Sequence, residues 1–321
     1  MLSGFFMDNQ NMNLFSDRIK QKGLEIGFQQ VGIVPALPLT DESIRLGQWL
    51  ERDFHGEMAW LERETEKRSD PQILFPGAKS IIVATHNYFT DHQHVDTGGR
   101  GKISRYAWGD DYHDIIREKL REFLAWIKSQ NPEIDGKICV DTAPMMDKAW
   151  AVRAGLGWLG KHSNLITKDV GSWVFIGEIL LNVELDYDTQ IVSDHCGTCT
   201  ACLEACPTGA IVEPYIVDSR KCISYATIEL RDEMLPELVA DNLNGWFYGC
   251  DICQDVCPWN RFEKPSNEAR YEPRFGETSI ALDDALSLTP ETYAERFRRT
   301  AIKRAKLPAL KRNAAALKSN S

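Results

Sequence analysis

The amino-acid sequence predicts a mixed α+β fold arranged in three consecutive segments. Amphipathic helical patterns and β-branched runs alternate over the first 190 residues, but the connections are too irregular for a simple repeating βαβ protein. Eight of the nine cysteines then fall between Cys196 and Cys257. We therefore expect an α+β sheet domain over residues 1–190, a cysteine-rich domain over residues 191–262, and a helical C-terminal region over residues 263–321.

Several stretches of the first segment have the apolar spacing of amphipathic helices. In the first stretch Leu14, Ile19, Leu24 and Ile26 share one stripe, and Gly27 follows as a residue that commonly ends helices. The predicted helices cover residues 12–28, 41–53, 111–128 and 145–155.

Runs rich in β-branched residues predict the strands of the same segment. They are GFQQVGIV (27–34), KSIIVATHNYF (79–89), KICVDTAP (137–144) and SWVFIGEILLNVEL (172–185), the last being the longest. The glycine pattern GLGWLG, which begins at Gly155, resembles a dinucleotide-binding loop. It follows a predicted helix and not a strand, so we reject that interpretation.

Composition and charge narrow the class of protein. The chain has 321 residues, 43% of them hydrophobic and 26% charged, which is typical of a globular protein able to bury a large core. No apolar run reaches the roughly 18 residues of a membrane span, and the N-terminus lacks the basic start of an export signal. We expect a cytoplasmic monomer.

Charge is distributed unevenly along the chain. The net charge is −10, but residues 296–321 hold nine Lys or Arg and no acidic residue, so the first 295 residues carry −19. Such a basic stretch can pair with nucleic-acid phosphates. A solvated helix face explains the same pattern and is the preferred interpretation from sequence alone.

The cysteine spacing predicts two iron–sulfur clusters of the 4Fe–4S type in a bacterial ferredoxin-like arrangement. One run reads C-x2-C-x2-C-x3-C-P from Cys196 to Pro207, and a second reads C-x2-C-x3-C-P from Cys250 to Pro258. In such runs three thiolates bind one cluster, and the fourth, before proline, crosses to the other. The predicted ligands are Cys196, Cys199, Cys202 and Cys257 for cluster 1, and Cys206, Cys222, Cys250 and Cys253 for cluster 2.

The second run departs from the standard pattern. Phe247 stands where a further cysteine would be, so Cys222 is taken as the substitute ligand, separated from Cys250 by 27 residues. A pair of four-thiolate zinc sites is the alternative, but zinc ligands normally come as separated C-x2-C pairs. Disulfides are less expected still, because crowded cysteines without an export signal usually bind metal.

Asp141 is the polar residue of the first segment that best suits acid chemistry. It follows the predicted strand KICV and precedes Thr142 and Pro144. A carboxyl group in a pocket at a strand end can have its pKa raised by burial and donate a proton. An Asp in this context is equally typical of a helix N-cap. Cys139, on the same strand, is expected to be a buried apolar residue.

Longer motifs resemble the epoxyqueuosine reductase family. They are VDTAPMMDKAWAVRAGLGWLGKHSNLI, GSWVFIGEILL, CGTCTACLEACPTGAIVEPY, RKCISYATIEL and YGCDICQDVCPWN, and the likeness runs from about residue 15 to about 316. The resemblance implies a cobalamin-dependent oxidoreductase of the last step of queuosine synthesis in tRNA. It also implies a nitroreductase-like α+β domain that holds cobalamin without a protein axial ligand.

The same resemblance implies the route of electrons and protons. Electrons would pass from an external low-potential donor through the two clusters to cobalt and then to the epoxide of the modified nucleoside. Asp141 matches the family's proton donor, and the partner would be a tRNA with a queuosine-type anticodon. Many family members continue into a helical-repeat extension past the point where this sequence stops, so either the natural protein is short or its end has been trimmed.

The resemblance also assigns cobalamin contacts, which we carry over one position at a time. They are Arg68, Ser104, Asp141, Leu165, Ile176 and Ser224. From sequence alone Arg68 is as well explained by a surface ion pair, and Leu165 and Ile176 by core packing. His162 is read as pocket lining. The alternative function is a corrinoid reductase of a small molecule, like the related reductive dehalogenases.

Overall fold

The structure is a computed structural model that describes residues 9–95 and 97–320, and the side chains from residue 12 onward within those ranges. The N-terminal stretch in which we expect no export signal lies outside the described residues.

The helices are numbered α1 to α13 in chain order. They are Asn9–Ile26, Thr40–Glu51, Thr65–Ser69, Pro71–Leu74, Tyr112–Gln130, Asp147–Arg153, Ala201–Ala205, Ile223–Ile228, Glu237–Ala240, Ile252–Asp255, Leu282–Ser287, Pro290–Arg296 and Lys306–Ser319. Short 3-10 turns connect several of them, at Ala59–Leu61, Arg105–Ala107, Ser219–Lys221, Pro258–Phe262, Ala269–Tyr271, Arg274–Gly276 and Ala301–Ala305.

The strands are numbered β1 to β11 in the same way. They are Gln30–Pro35, Ser80–Asn87, Arg100–Ile103, Gly136–Cys139, Trp158–Leu159, Leu165–Ile166, Val174–Leu181, Ile211–Glu213, Ile216–Val217, Trp246–Tyr248 and Ser279–Ala281.

A four-stranded antiparallel sheet with the order β1-β2-β7-β4 organises the first segment. Every residue of β2 is buried, which explains its unbroken apolar run, because a central strand covered on both faces has no polar side. Helices α1 and α5 pack on one face, and α6 packs on the other. The mixed α+β prediction is confirmed.

A second, three-stranded sheet joins the three predicted segments. Strand β3 lies between β10 and β11, pairing parallel with β10 and antiparallel with β11. Around it the buried residues of α8, β10 and α13 form one core. The three segments therefore share one hydrophobic core, although the eight predicted cluster ligands all lie in the middle segment.

Several predicted element ends shift in the structure. Helix α1 stops one residue before Gly27, whose φ of +104° suits glycine. Strand β4 ends at Cys139, because the chain turns at Asp141 with a φ of +42°. The GLGWLG stretch follows α6 and enters the small hairpin β5–β6, so rejecting the dinucleotide loop was correct.

The C-terminal region is mostly helical, as predicted, but it also supplies β11 to the second sheet. Helix α13 is fixed to the body by Leu310, Ala314 and Leu317, which are buried in the shared core. Within the described ranges, no helix combines the length and apolar character that crossing a membrane requires.

Candidate active site

Four of the predicted ligands surround one hollow. The outer cysteine cavity, of about 140 Å³, is lined by Cys196, Cys199, Cys202 and Cys257. Cys202 lies on α7, and Cys257 follows α10. Lys161 Nζ donates hydrogen bonds to the carbonyls of Gly197 at 2.7 Å and Cys199 at 2.9 Å. This buried lysine therefore fixes the loop between the first two cysteines.

The other four predicted ligands line a second, larger hollow. The inner cysteine cavity, of about 450 Å³, contains Cys206, Cys222, Cys250 and Cys253 in its wall. Cys222 is the N-cap residue of α8, which places its thiol at the start of that helix. The structure thus places the eight cysteines in the two groups of four into which their spacing divides them.

The position of Phe247 explains the irregular second run. Phe247 lies in β10 and is completely buried in the shared core. A ligand at this position would point into packed side chains and not into the inner cysteine cavity. Cys222 reaches that cavity from α8 instead, so a distant part of the chain supplies the thiol that the local run lacks.

The separation of the cysteines bears on the choice between clusters and zinc. Among the residues that the structure describes, no three His, Cys, Asp or Glu side chains lie close enough to hold a single metal ion. A tetrahedral zinc site needs all four sulfurs about 2.3 Å from one ion. A cubane binds each thiolate at a different iron and keeps the sulfurs further apart. We therefore retain the two-cluster prediction made from the cysteine spacing.

Four of the six predicted cobalamin contacts lie together in the inner cysteine cavity. They are Ser104, Leu165, Ile176 and Ser224. One wall is a ladder of stacked rings, in which Phe175 lies 4.3 Å from Tyr88 and 4.2 Å from Tyr112 between centroids. The cavity therefore presents a broad, flat and largely apolar surface beside four thiols.

Ser104 is held in place by a buried carboxyl group. Its hydroxyl donates to Asp251 Oδ1, and the Arg105 backbone N–H donates to Oδ2 at 2.8 Å. Gly249 packs so closely against Ser104 that an added Cβ would lie 2.5 Å from the Ser104 Cβ. This close approach joins β10, and hence Cys250, to the cavity wall at Ser104.

Of the two remaining predicted pocket residues, His162 lines the cavities and Arg68 does not. Among the described residues, Arg68 does not line the inner cysteine cavity. Its guanidinium donates a hydrogen bond to the Trp60 carbonyl at 3.2 Å, and its Nε has no partner within the described protein. His162 lines both cysteine cavities. Its Nδ1 accepts from the Asn164 N–H at 3.1 Å, while its buried Nε2 has no partner within the described protein. His162 is pocket lining, as predicted.

Asp141 belongs to a triad that the sequence analysis did not identify. Its Oδ2 lies 2.9 Å from Nε2 of His113, and Nδ1 of the same ring lies 2.7 Å from Oδ1 of Asp111, the N-cap of α5. We call these three residues the acid–histidine triad. The ring of Tyr112, in the wall of the inner cysteine cavity, stacks on the His113 ring with their centroids 4.1 Å apart. The triad therefore adjoins the cavity.

The triad holds its proton on the histidine. Burial would raise the pKa of Asp141, but the hydrogen bond and charge of His113 outweigh it and keep that pKa below its usual value. Burial likewise opposes charge on His113, yet Asp111 and Asp141 raise its pKa to about 9. The expectation of a raised Asp141 pKa was wrong, because it considered burial without the histidine partner.

The N-cap alternative for Asp141 does not apply. Helix α6 begins at Asp147, its N-cap is Met146, and no side chain caps it. Asp141 lies several residues earlier, and its side chain is 54% exposed. Cys139, just before it, is buried in the core as predicted, and burial raises the pKa of its thiol to about 12.

A simple sequence signal could have suggested the triad. The segment Asp111-Tyr112-His113 starts a predicted helix, where an N-cap aspartate and a nearby histidine can hydrogen-bond. Their contact with Asp141, 28 residues away from His113, depends on the tertiary structure.

The basic C-terminal stretch is largely engaged within the protein. Arg296 pairs with Glu277, Arg299 with Asp114 at 3.2 Å, and Arg304 with Glu229 at 2.8 Å. Arg312 donates to the carbonyls of Ala226, Leu230 and Asp232. In the described part of the chain, Arg298, Lys303, Lys306, Lys311 and Arg312 make no ion pair, and Arg312 is held by its carbonyl contacts instead. A fully solvated basic face is therefore the wrong description of this stretch.

Comparison with known proteins agrees with these features. Residues 68–142 match the family model "Epoxyqueuosine reductase QueG, DUF1730", and residues 195–260 match a 4Fe-4S double cluster binding domain. The chain is 47% identical over 298 residues to epoxyqueuosine reductase of Cellulophaga algicola, covering 93% of this chain and 96% of that protein.

Solved structures show the same likeness. A crystal structure of epoxyqueuosine reductase with an epoxyqueuosine-modified tRNA-Tyr stem loop is 30% identical, with a TM-score of 0.89, covering 96% of this chain and 81% of that one. The Bacillus subtilis enzyme, with its aspartate-bearing catalytic loop swung out of the active site, is 29% identical with a TM-score of 0.87, covering 96% and 82%.

The fold, the double-cluster domain and the adjoining triad define an iron–sulfur oxidoreductase. With its 47% identity over nearly the whole of a curated relative, the chain belongs to the epoxyqueuosine reductase family.

Proposed function

We propose that this protein reduces the epoxide of epoxyqueuosine in the anticodon loop of tRNA to give queuosine, using cobalamin supplied with electrons by two 4Fe–4S clusters. The observation that carries the proposal is the content of the inner cysteine cavity. Four predicted cluster ligands and four predicted cobalamin contacts line one hollow, and the acid–histidine triad adjoins it through Tyr112.

The residues around the cavity suit a corrin ring. The stacked rings of Tyr88, Phe175 and Tyr112 offer an apolar face, while Ser104 and Ser224 offer hydroxyl groups to peripheral amides. His162 Nε2 is a buried nitrogen still without a partner. When bound, cobalamin supplies a reduced cobalt centre able to open the epoxide. Leu165 and Ile176 would then serve as edge contacts, and Arg68 would contribute from beside the cavity.

The clusters provide the electrons in this proposal. Cys196, Cys199, Cys202 and Cys257 hold cluster 1 at the outer cavity, where Cys199 is exposed and an external low-potential donor can approach. Cluster 2, held by Cys206, Cys222, Cys250 and Cys253, lies on the side of the cofactor. The match to a double-cluster domain supports this order.

Asp141 acts as the proton donor to the opened epoxide in this proposal. It is the more exposed carboxyl group of the triad, and His113 supplies it with a proton because the imidazole is protonated up to about pH 9. The reaction leaves one oxygen as water, so it needs an acid near that oxygen at neutral pH. The aspartate-bearing catalytic loop of the B. subtilis structure supports this role.

The substrate class follows from the relatives and from the charge of the C-terminal region. A related structure contains an epoxyqueuosine-modified stem loop, and Arg298 and Lys306 remain exposed for phosphate contacts. The remaining elements of the proposal are a nitroreductase-like sheet domain over residues 1–190, a cluster domain over 191–262, a C-terminal region over 263–321 that contacts tRNA, a cytoplasmic location and a monomer.

One experiment tests the whole proposal. The protein, purified without oxygen, is incubated with cobalamin, a low-potential reductant and an epoxyqueuosine-containing stem loop, and its nucleosides are measured by mass spectrometry. We expect queuosine to replace epoxyqueuosine, and about eight irons per chain. Unchanged epoxyqueuosine with reduced clusters and bound cobalamin would contradict the function, and zinc in place of iron would contradict the electron route.

A further inference from the structure

Two carboxyl groups, one fully buried and one partly buried, lie where α6 packs against β7. Glu178 sits in the middle of β7, opposite Val83 of β2 and Cys139 of β4, and is completely inaccessible. Its side chain lies on the same sheet face as Ile176, which lines the inner cysteine cavity. Asp147 is the first residue of α6 and is only partly buried.

The hydrogen bonds of this pair require a proton. Within the described protein, neither oxygen of Glu178 nor Oδ1 of Asp147 has a donor from another residue. The two carboxyl groups are instead in hydrogen-bonding contact with each other. Two ionised carboxylates cannot make that bond, because each can only accept. One of the two groups must therefore carry a proton.

The charges around the pair favour the same state. The pKa of Glu178 is raised first by burial, then by the charge of Asp147 and by that of Asp141. The pKa of Asp147 is raised by burial and then by the charge of Asp141. The cations nearby are otherwise engaged. Lys148 donates to the Ser163 carbonyl at 2.8 Å and to Asn164 at 3.0 Å.

The other groups that face the pair do not neutralise it. Arg68, on α3, donates to the Trp60 carbonyl and makes no ion pair with Asp147 in the part of the chain that is described. Cys139, on β4, has a thiol pKa raised to about 12, first by burial and then by Glu178, and so stays uncharged. The charges of Lys148 and Arg68 lower the pKa of Asp147, but by less than burial and Asp141 raise it. The carboxyl oxygens of the pair that are buried have no direct ion pair among the described residues, which is costly unless one group is protonated.

The proposed reaction gives such a proton a use. Converting the epoxide to an alkene breaks both C–O bonds, forms the C=C bond with two electrons delivered through the clusters, and releases the oxygen as water with two protons. The acid–histidine triad holds one proton at neutral pH. A second must reach the same oxygen before turnover is complete.

We propose that the Asp147–Glu178 pair stores this second proton and returns it to Asp141 after the first has been used. Glu178, which is fully inaccessible, is the sealed end of the store, and the partly exposed Asp147 is the end nearer to solvent. The inference rests on the proposed function. Neither residue touches the substrate, so both act by supplying Asp141.

Infrared spectroscopy tests the stored proton without reference to activity. The cofactor-containing protein is compared with Glu178→Gln at neutral pH, in water and in deuterium oxide, so that subtraction removes other protonated acids. We expect the difference to contain one un-ionised carboxyl band that shifts in deuterium oxide. A difference containing only ionised carboxylate would overturn the proposal.

Single-turnover kinetics with the epoxyqueuosine stem loop test the use of the proton. Glu178→Gln and Asp147→Asn should bind cobalamin and the stem loop normally but form queuosine at least about tenfold more slowly. Their rates should fall further as pH rises above neutral, with a larger solvent deuterium effect. Glu178→Asp, which keeps the acid, should recover part of the rate. The exposed Glu184→Gln is the matched control and should behave like the unaltered protein.

The outcomes separate the two proposals. If the unaltered protein forms no queuosine, the proposed function fails, while the infrared result still decides whether the pair holds a proton. If the unaltered protein is active and Glu178→Gln matches its rate, pH profile and isotope effect, the pair is a structural feature and the inference is wrong.

Discussion

Each of the two cysteine cavities contains four thiols, but the two cavities have different surroundings. The outer cysteine cavity is about 140 Å³, is bordered by Trp259 and His195, and has the exposed Cys199 at its edge. The inner cysteine cavity is about 450 Å³ and shares its wall with Ser104, Ile176 and other predicted cofactor contacts. The difference suggests a direction: electrons enter at the outer cavity and are used at the inner one.

The acid–histidine triad is a second difference between the two cavities. The acid–histidine triad adjoins the inner cavity through Tyr112, and no member of the triad lines the outer one as described. Replacing a cysteine of the inner cavity should therefore stop catalysis with loss of iron, whereas replacing a residue of the triad should stop catalysis without loss of iron.

The largest effect is expected from Cys222→Ala. A 4Fe–4S cluster needs four thiolates, so the iron content should fall from about eight to about four per chain while the outer cluster remains. Queuosine formation should fall to background, because cluster 2 lies between the donor and the cofactor. Iron analysis and the stem-loop assay measure both quantities.

Cys139→Ala is the control for that variant, since Cys139 is a buried cysteine outside both cavities. It should keep about eight irons. Loss of iron from Cys139→Ala, or retention of eight irons in Cys222→Ala, would show that the ligand set is wrong.

Asp141→Asn should have the next largest effect. Turnover should drop by about 1000-fold, within the range typical of a lost general acid, while iron content and cobalamin binding stay normal. The exposed Asp135→Asn, located just before β4, is the matched control and should retain full activity. Undiminished turnover in Asp141→Asn would assign the proton to another group.

The sequence predicted the cysteine groups well because cluster ligands follow a short local code. The spacing of Cys196, Cys199 and Cys202 reflects the wrapping of one loop, and the buried strands β2 and β7 were visible as unbroken apolar runs. These signals depend on neighbours in sequence. Phe247 interrupts this spacing. Cys222 was identified as the substitute ligand because it is the cysteine of this region that lies outside both runs.

The wall of the inner cysteine cavity and the second sheet could not be predicted from local sequence patterns. Ser104, Leu165, Ile176 and Ser224 come from four separate parts of the chain, and nothing in their local sequence states that they share a hollow. The strands of the second sheet are only three or four residues long. Periodicity cannot be read over so few positions, so this sheet was not predicted.

The acid–histidine triad predicts a specific pH dependence of turnover. Because Asp111 and Asp141 raise the His113 pKa from 6.5 to about 9, the imidazole should stay charged at neutral pH and lose its proton only as pH rises through about 9. Turnover should fall over that range. The contribution of the ion pairs to stability should follow the same sign, complete below about 6.5 and lost through about 9.

His113→Gln sharpens this prediction. Turnover should be about 100-fold lower at neutral pH, and the decline near pH 9 should be absent. The surface residue His92, which pairs with Glu272 at 2.6 Å, gives the control His92→Gln, whose profile should be unchanged. An unaltered alkaline decline in His113→Gln would mean that another group titrates there.

The smallest effect is expected at the C-terminal basic residues, and it tests which cavity faces the RNA. Arg304 lies close enough to Asp141 for their charges to interact, which places this region beside the inner cavity. Arg298 and Lys306 are exposed and make no ion pair within the described chain, so they are free to meet phosphates. Replacing both with Gln should raise the KM for the stem loop about threefold and reduce the slope of its salt dependence by about two.

The matched control removes the same charge from the same region. Arg296 and Lys318 pair with Glu277 and Asp283 inside the protein, so Arg296→Gln with Lys318→Gln should leave the salt slope nearly unchanged. Equal slopes for both double variants would mean that net charge, and not the position of free cations near the inner cavity, governs tRNA binding. Such a result would remove the C-terminal region from the proposed interface, because a contact surface must distinguish paired from unpaired cations.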